Sequence, residues 1–247
     1  MGHEKILTFI AIASLMLGIY NSWAIQNPPN SADLVNQGNL YFAAGNYKKA
    51  INCYEKALKL HSSYGIYGSA LKYQGFALFN LGLDNNSMTI QLNNESPSIQ
   101  ATNLIEYYNS TNYQPSESSR NYLENSFQYL RDAANNNPTD IEALLFAGVV
   151  SLYLSPSSSY DPLAEFDNVL KVMDNLAYIQ KSPQASAIKS ASWLGKAVAY
   201  LKIGDREDAE TCLRNAKSLY YNASLPENTS NLEINITAPN LRTNRSQ

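Results

Sequence analysis

Residues that could perform catalysis are scarce in this chain of 247 residues. His61 is the only histidine after the N-terminal 24 residues, so no histidine pair is available for zinc and no HExxH motif occurs. A Ser-His-Asp or Cys-His site would have to use His61, and neither Cys53 nor Cys212 is expected near it. Glycine-rich phosphate loops and calcium-binding loops are absent from the sequence. We therefore expect a non-catalytic protein with no cofactor and no metal site.

Charge is sparse and slightly acidic. Charged residues make up 16% of the chain, against about a quarter in an average protein, and the formal net charge is −3. Removal of the first 24 residues takes away Glu4 and Lys5 and leaves this balance unchanged. A small negative net charge does not attract the negatively charged backbone of a nucleic acid. We therefore expect no nucleic-acid partner.

The N-terminus has the pattern of an export signal. Lys5 precedes an apolar stretch, residues 6–20, and Ser22-Trp23-Ala24 then offers a small-x-small cleavage site. The stretch is shorter than the roughly 20 residues that span a bilayer. We expect residues 1–24 to be a cleaved signal peptide, with an uncleaved membrane anchor as the alternative. The protein is then exported, to an extracytoplasmic or cell-surface location.

Seven Asn-x-Ser/Thr triplets occur, and glycans on them would need exposed loops. They begin at Asn85, Asn94, Asn109, Asn222, Asn228, Asn235 and Asn244. All seven lie in segments that other features assign to an insertion, residues 83–116, or to a polar C-terminal tail, residues 222–247. Such a tail lacks the apolar residues that folding requires and is expected to be disordered. Chance remains an alternative, because a chain rich in Asn and Ser generates such triplets freely.

One helical pattern recurs along the chain. The repeated elements are Leu34-x-x-Gln37-Gly38, Leu71-x-x-Gln74-Gly75, Leu144-x-x-Ala147-Gly148 and Trp193-x-x-Lys196-Ala197. Glycine inside a helix costs about 0.5–1 kcal/mol relative to alanine. Its recurrence at equivalent positions predicts close approach of a neighbouring helix.

Each complete unit reads as an antiparallel helix pair. Turns at Gly45-Asn46 and Gly204-Asp205 separate a first helix from a second one. Small residues recur seven apart on the second helices, at Ala50 and Ala57 and again at Ala209 and Ala216. They allow the second helix to pack closely against the first.

These residues resemble the tetratricopeptide repeat family. Its W-x-x-L-G-x-x-Y…A-x-x-x-F…A pattern is met, with replacements, over residues 34–57 and 193–216. The resemblance implies an all-α fold, an α-α superhelix of about four helix pairs over residues 31–221. It also implies a concave side lined by the first helices and a protein or peptide partner.

Spacing places a long irregular insertion, residues 83–116, in the second unit. Its one helical hint is residues 99–108, and residues 121–134 are expected to be the delayed second helix of that unit. The alternative phasing makes residues 99–108 the second helix and residues 121–134 an extra element. In the third unit, Thr139-x-x-Glu142 predicts a capping box and Asp161-Pro162 predicts the start of the second helix.

The resemblance assigns a partner-binding groove to the first helices. The positions expected to face it are Val35, Asn39, Phe42, Lys72, Phe76, Phe79, Leu145, Val149, Leu194, Val198 and Lys202. Chaperone-binding members clamp a terminal carboxylate here with basic residues, but Val35, Ala191 and Gly195 stand at three of those places, so that clamp is incomplete. A mostly apolar groove favours an extended or helical partner segment. The alternative is that several of these residues are core, covered by neighbouring helices or by the insertion.

Three functions remain after this reading. The first is an interaction scaffold outside the cytoplasm, acting in assembly of envelope proteins. The second is a glycosylated structural component of the cell surface. The third is an enzyme or enzyme accessory with a site in the insertion. Paired-carboxylate glycosidase chemistry leaves no sequence motif, and nothing in this sequence favours it.

Overall fold

A computed structural model of the protein describes residues 29–60, 63–83, 88–92, 96–111, 113–155, 159–176 and 182–222. These residues form helices and connecting turns, with no strand among them. The helices are α1 (Ser31–Ala43), α2 (Tyr47–Lys59), α3 (Tyr64–Gly82), α4 (Pro97–Ser110), α5 (Glu117–Asn136), α6 (Ile141–Leu154), α7 (Pro162–Asn175), α8 (Pro183–Ile203) and α9 (Arg206–Asn222). The predicted signal peptide and most of the predicted tail lie outside the described residues.

Capping residues explain where several helices begin. Asn30 accepts a hydrogen bond from the Asp33 backbone and forms a capping box with it. Asp161 caps α7 as predicted, with Pro162 in its first turn. In the third unit the N-cap is Asp140, which accepts a hydrogen bond from Ala143 N at 3.0 Å. The predicted capping box at Thr139 is therefore wrong: the N-cap is the next residue, and Ala143, three residues after it, has no polar side chain to complete a box.

The helices stack as four antiparallel pairs. The pairs are α1 with α2, α3 with α5, α6 with α7, and α8 with α9. Each second helix also packs on the first helix of the next pair: α2 on α3, α5 on α6, and α7 on α8. Gly45 and Gly204 end the first helices of the outer pairs with left-handed backbone, at φ 71° and 86°. This arrangement confirms the predicted all-α superhelix.

The repeated small residues mark the helix crossings. A Cβ on Gly75 would lie 2.8 Å from Leu130 of α5, and one on Gly148 would lie 2.7 Å from Phe166 of α7. At Gly38 the added carbon would overlap the ring of Tyr54. These contacts confirm that the glycines permit close approach of the second helix within each pair.

The structure also decides the phasing of the second unit. Helix α5 packs along α3, so it is the second helix of that unit. Helix α4, the helical hint of the insertion, lies instead on α6 and α8. The alternative phasing is therefore wrong, and the helical hint at residues 99–108 is a complete helix, Pro97–Ser110.

Within the described residues, no helix is both long and apolar enough to cross a membrane.

Candidate functional site

The inner face is defined here as the side of α6 and α8 on which α4 lies, together with the continuing side of α3. It corresponds to the side of the first helices that the sequence predicts as the partner groove. The buried side chains of α4 include Ala101, Leu104, Ile105 and Tyr108, each at most 4% exposed. The protein therefore covers much of this face with its own insertion.

Eight of the predicted groove residues are buried. Their exposed fractions are at most 7%, for Val35, Phe42, Phe76, Phe79, Leu145, Val149, Leu194 and Val198. These side chains belong to the core, so they do not form the accessible apolar groove that the sequence predicts. The physical reason is that α4 and the neighbouring first helices cover them, which is the alternative stated above. Partner binding itself stays a prediction.

The three polar groove residues have separate roles. Asn39 accepts a hydrogen bond from the Tyr54 hydroxyl at 2.8 Å, within the first helix pair. Lys72 is not the isolated cation that the sequence suggests, because its Nζ lies 2.7 Å from Glu142 and 3.2 Å from Asp140. Burial opposes the charge on Lys72, but these two carboxylates outweigh it and raise the pKa.

Lys202 is the predicted groove residue that stays exposed. Its Nζ lies 4.8 Å from the centre of the Tyr108 ring on α4, a cation–π contact. Partial burial of the ammonium against α4 lowers its pKa, although the residue as a whole is exposed. Lys202 therefore forms the accessible rim of the inner face beside the insertion.

An aromatic cluster fixes the insertion to the stack. The Tyr153 ring of α6 lies 5.0–5.2 Å from the rings of Phe79, Tyr108 and Tyr113. The Tyr153 hydroxyl donates to the Leu104 carbonyl of α4 at 2.8 Å. Burial raises the pKa of Tyr153, so this hydroxyl remains a donor at any physiological pH. Sequence reasoning missed the role of this cluster.

A short segment outside the helices, residues 88–92, lies between α3 and α4 in the chain. Ile90 is 1% exposed, and both of its backbone polar groups bind one side chain. Its N–H donates to Asn80 Oδ1 at 2.8 Å, and its carbonyl accepts from Asn80 Nδ2 at 2.9 Å. Gln100 of α4 holds the next residue in the same manner, through Gln91 N at 2.8 Å and Gln91 O at 3.0 Å. Asn80 of α3 and Gln100 of α4 thus bind the backbone of two consecutive residues through their side-chain amides.

Sequence reasoning also missed Asn80, although one signal was present. It is the only polar residue in the apolar run of residues 76–83. A buried amide requires hydrogen-bond partners, so such an isolated Asn predicts a specific polar contact. Its partner, a backbone ten residues later, could not be read from the pattern.

Outside the inner face, the described structure has few candidate reactive groups. No group of three or more His, Cys, Asp or Glu residues there could hold a metal ion. A cavity of about 190 Å³ between α5 and α7 contains Arg131, but this guanidinium binds both Glu165 oxygens at 2.9–3.0 Å. Cys53 and Cys212 are free and buried, and burial raises the pKa of both thiols. His61 lies outside the described residues.

Comparison with protein-family models supplies the deciding observation. Tetratricopeptide repeat models match residues 33–64 and residues 190–222. The chain contains tetratricopeptide repeats. The two matches cover the pairs α1–α2 and α8–α9, at the two ends of the stack. No curated protein matches the chain.

The structure describes two of the seven predicted glycosylation sites, Asn109 and Asn222. Asn109 lies in the last turn of α4 and is half-buried, so the expectation that every sequon lies on an exposed loop is wrong there. Asn222 is the last residue of α9. Asn85, Asn94, Asn228, Asn235 and Asn244 lie outside the described residues, and their glycosylation stays a prediction.

Proposed function

We propose that this tetratricopeptide repeat protein is a non-catalytic scaffold that binds a protein or peptide partner outside the cytoplasm. Stacked repeats of this family generally serve protein–protein interaction. The observation that carries the proposal is the pair of amides, Asn80 on α3 and Gln100 on α4, which hold the backbone of Ile90 and Gln91 by paired hydrogen bonds. A face that holds a peptide of its own chain has the chemistry to hold one from a partner.

Export is supported by the sequence alone. Residues 6–20 and the Ser22-Trp23-Ala24 site predict a signal peptide. N-terminal sequencing of the protein from its native source is expected to begin at Ile25. A mature protein that begins at Met1 or Gly2 would contradict cleavage and leave the uncleaved anchor. We place the scaffold in the assembly of envelope proteins, as the function class best suited to an exported binder without a catalytic motif.

Capture of a partner tests the scaffold directly. Mature protein is immobilised, and proteins retained from envelope extract are identified, purified and titrated against it. The inner-face variant is Lys202→Glu, at the exposed rim, and the matched control is Lys56→Glu, on the exposed side of α2. A partner of the inner face is expected to bind the Lys202 variant at least tenfold more weakly and the Lys56 variant unchanged.

Deletion of residues 83–116 is not a suitable control for this experiment. It would uncover Val149, Leu194 and Val198, each at most 1% exposed, and create an apolar surface that binds non-specifically. Absence of any saturable partner would contradict the scaffold and favour the glycosylated structural component. Equal binding by both variants would move the partner to another surface.

A further inference from the structure

The two parts of the insertion are held very differently. Helix α4 buries three large side chains, Leu104, Ile105 and Tyr108, and packs on two first helices. Residues 88–92 bury one large side chain fully, Ile90, while Met88 and Leu92 remain half-buried. Since apolar stabilisation follows buried area, burial stabilises α4 more strongly than residues 88–92.

Side-chain amides bind the backbone of residues 88–92. The hydrogen bonds described for this backbone run to Asn80 and to Gln100. Both amides sit on helices, Asn80 on α3 and Gln100 on α4. Such amides recognise any extended backbone that presents N–H and carbonyl groups at two consecutive residues.

We propose that residues 88–92 occupy in cis a binding site for an extended peptide with one aliphatic anchor, and that a partner peptide takes their place at Asn80. This proposal rests on the scaffold function and names the chemistry of its partner. The anchor replaces Ile90 in a fully buried position, so it must be uncharged and of similar size. Its own N–H and carbonyl pair with Asn80, and those of the next residue pair with Gln100. Because the cis segment is tethered, it competes at high effective concentration and lowers the apparent affinity of the partner.

Hydrogen exchange on the unmodified protein tests whether the segment can leave. The Ile90 and Gln91 amides are expected to exchange at least 100-fold faster than those of Leu104 and Ile105 in α4, because their release does not require global unfolding. Exchange of all four amides at one rate, with one dependence on denaturant, would show that the segment opens only with the whole domain. That result would overturn the proposal.

A peptide supplied in trans tests recognition. The probe carries the sequence of residues 88–92 between glycine spacers, with a fluorescent label for anisotropy. The mature chain with Ile90→Ala has a weaker cis occupant and is expected to bind the probe at least tenfold more tightly than wild type. A probe with Asp at the Ile position is the matched control and is expected not to bind.

The role of Asn80 is tested without changing the protein. A probe with N-methylated Ile lacks the N–H that pairs with Asn80 Oδ1, and is expected to bind at least tenfold more weakly. Equal binding by the methylated probe would overturn the proposal, as would no binding of the unmodified probe to a folded Ile90→Ala chain. If Ile90→Ala does not fold, the exchange rates of the wild-type amides decide the question.

The outcomes separate this proposal from the scaffold function. If a captured partner depends on Lys202 but the probe does not bind, the scaffold function is supported and the peptide site at Asn80 is contradicted. If the probe binds at Asn80 but no partner is captured, the peptide site is supported and the scaffold function is contradicted.

Discussion

Gly38 and Tyr54 meet at the closest crossing of α1 and α2. A Cβ at Gly38 would overlap the Tyr54 ring, which is itself fully buried, whereas a Cβ at Gly65 in α3 meets nothing within 4 Å. Gly38→Ala is expected to lower the free energy of unfolding by about 1–3 kcal/mol through overpacking. Gly65→Ala is the matched control and is expected to raise it by about 0.5–1 kcal/mol, since alanine is the better helix former. Urea unfolding of the two variants measures both values, and equal stability of Gly38→Ala and wild type would contradict the close contact.

Leu145 is a second residue whose role the structure defines. It is 0% exposed beneath the inner face, while Leu40 on α1 is 74% exposed. Leu145→Ala is expected to cost about 2–5 kcal/mol of stability because it leaves a cavity. Leu40→Ala, the same chemical change at an exposed position, is expected to stay within about 0.5 kcal/mol of wild type. If the two variants unfold at similar urea concentrations, Leu145 is accessible to solvent and belongs to the predicted groove.

At the scale of the element, α4 holds one carboxylate in an unfavourable place. Glu106 is half-buried without an ion pair among the described residues, and burial raises its pKa. A carboxyl whose pKa is higher in the folded state destabilises the fold once it ionises. Glu106→Gln is therefore expected to raise the melting temperature at pH 7.5.

The pH dependence separates this effect from packing. The gain from Glu106→Gln is expected to shrink as the pH falls through the folded-state pKa, and to vanish below the unfolded-state pKa of about 4.3. Melting curves of wild type and variant at pH 7.5 and pH 4 measure the difference. Glu210→Gln, at an exposed position on α9, is the control and is expected to change neither curve. A gain of equal size at both pH values would mean that charge is not the cause.

At the scale of the whole molecule, α9 closes the C-terminal end of the stack. Its Ala209, Cys212 and Ala216 are at most 4% exposed against α8, while its other side is polar. Residues after Asn222 are rich in Asn, Ser and Thr and lack aromatic side chains. Truncation after Asn222 is expected to leave the melting temperature within a few degrees of wild type, because the removed residues offer little apolar surface to bury.

Truncation after Gly204, which removes α9, is the matched comparison. It exposes the apolar side of α8 and is expected to abolish cooperative unfolding. Thermal melts followed by circular dichroism compare the two truncations. A collapse of stability on truncation after Asn222 would show that the tail packs on the repeats.

The sequence by itself determined the local elements and the repeat. Gly38, Gly75 and Gly148 each lie four residues after a leucine, and each permits one close helix crossing; the recurrence of this motif is readable in the sequence. Helix period, capping residues and turn glycines are likewise local properties. They predicted the eight paired helices, although the predicted cap of α6 was one residue early and the predicted residues 121–134 cover only part of α5.

One sign of the buried inner face was present in the sequence. Helix α6 is apolar on all sides, with twelve of its residues buried, which is typical of a helix covered on every face and not of one lining a groove. Only the tertiary structure decided what covers it. The docking of α4 on α6 and α8, the Tyr153 bond to Leu104 and the Asn80 bonds to Ile90 are contacts between surfaces. They depend on the shapes that the stacked helices create together, and such complementarity leaves no period in the chain.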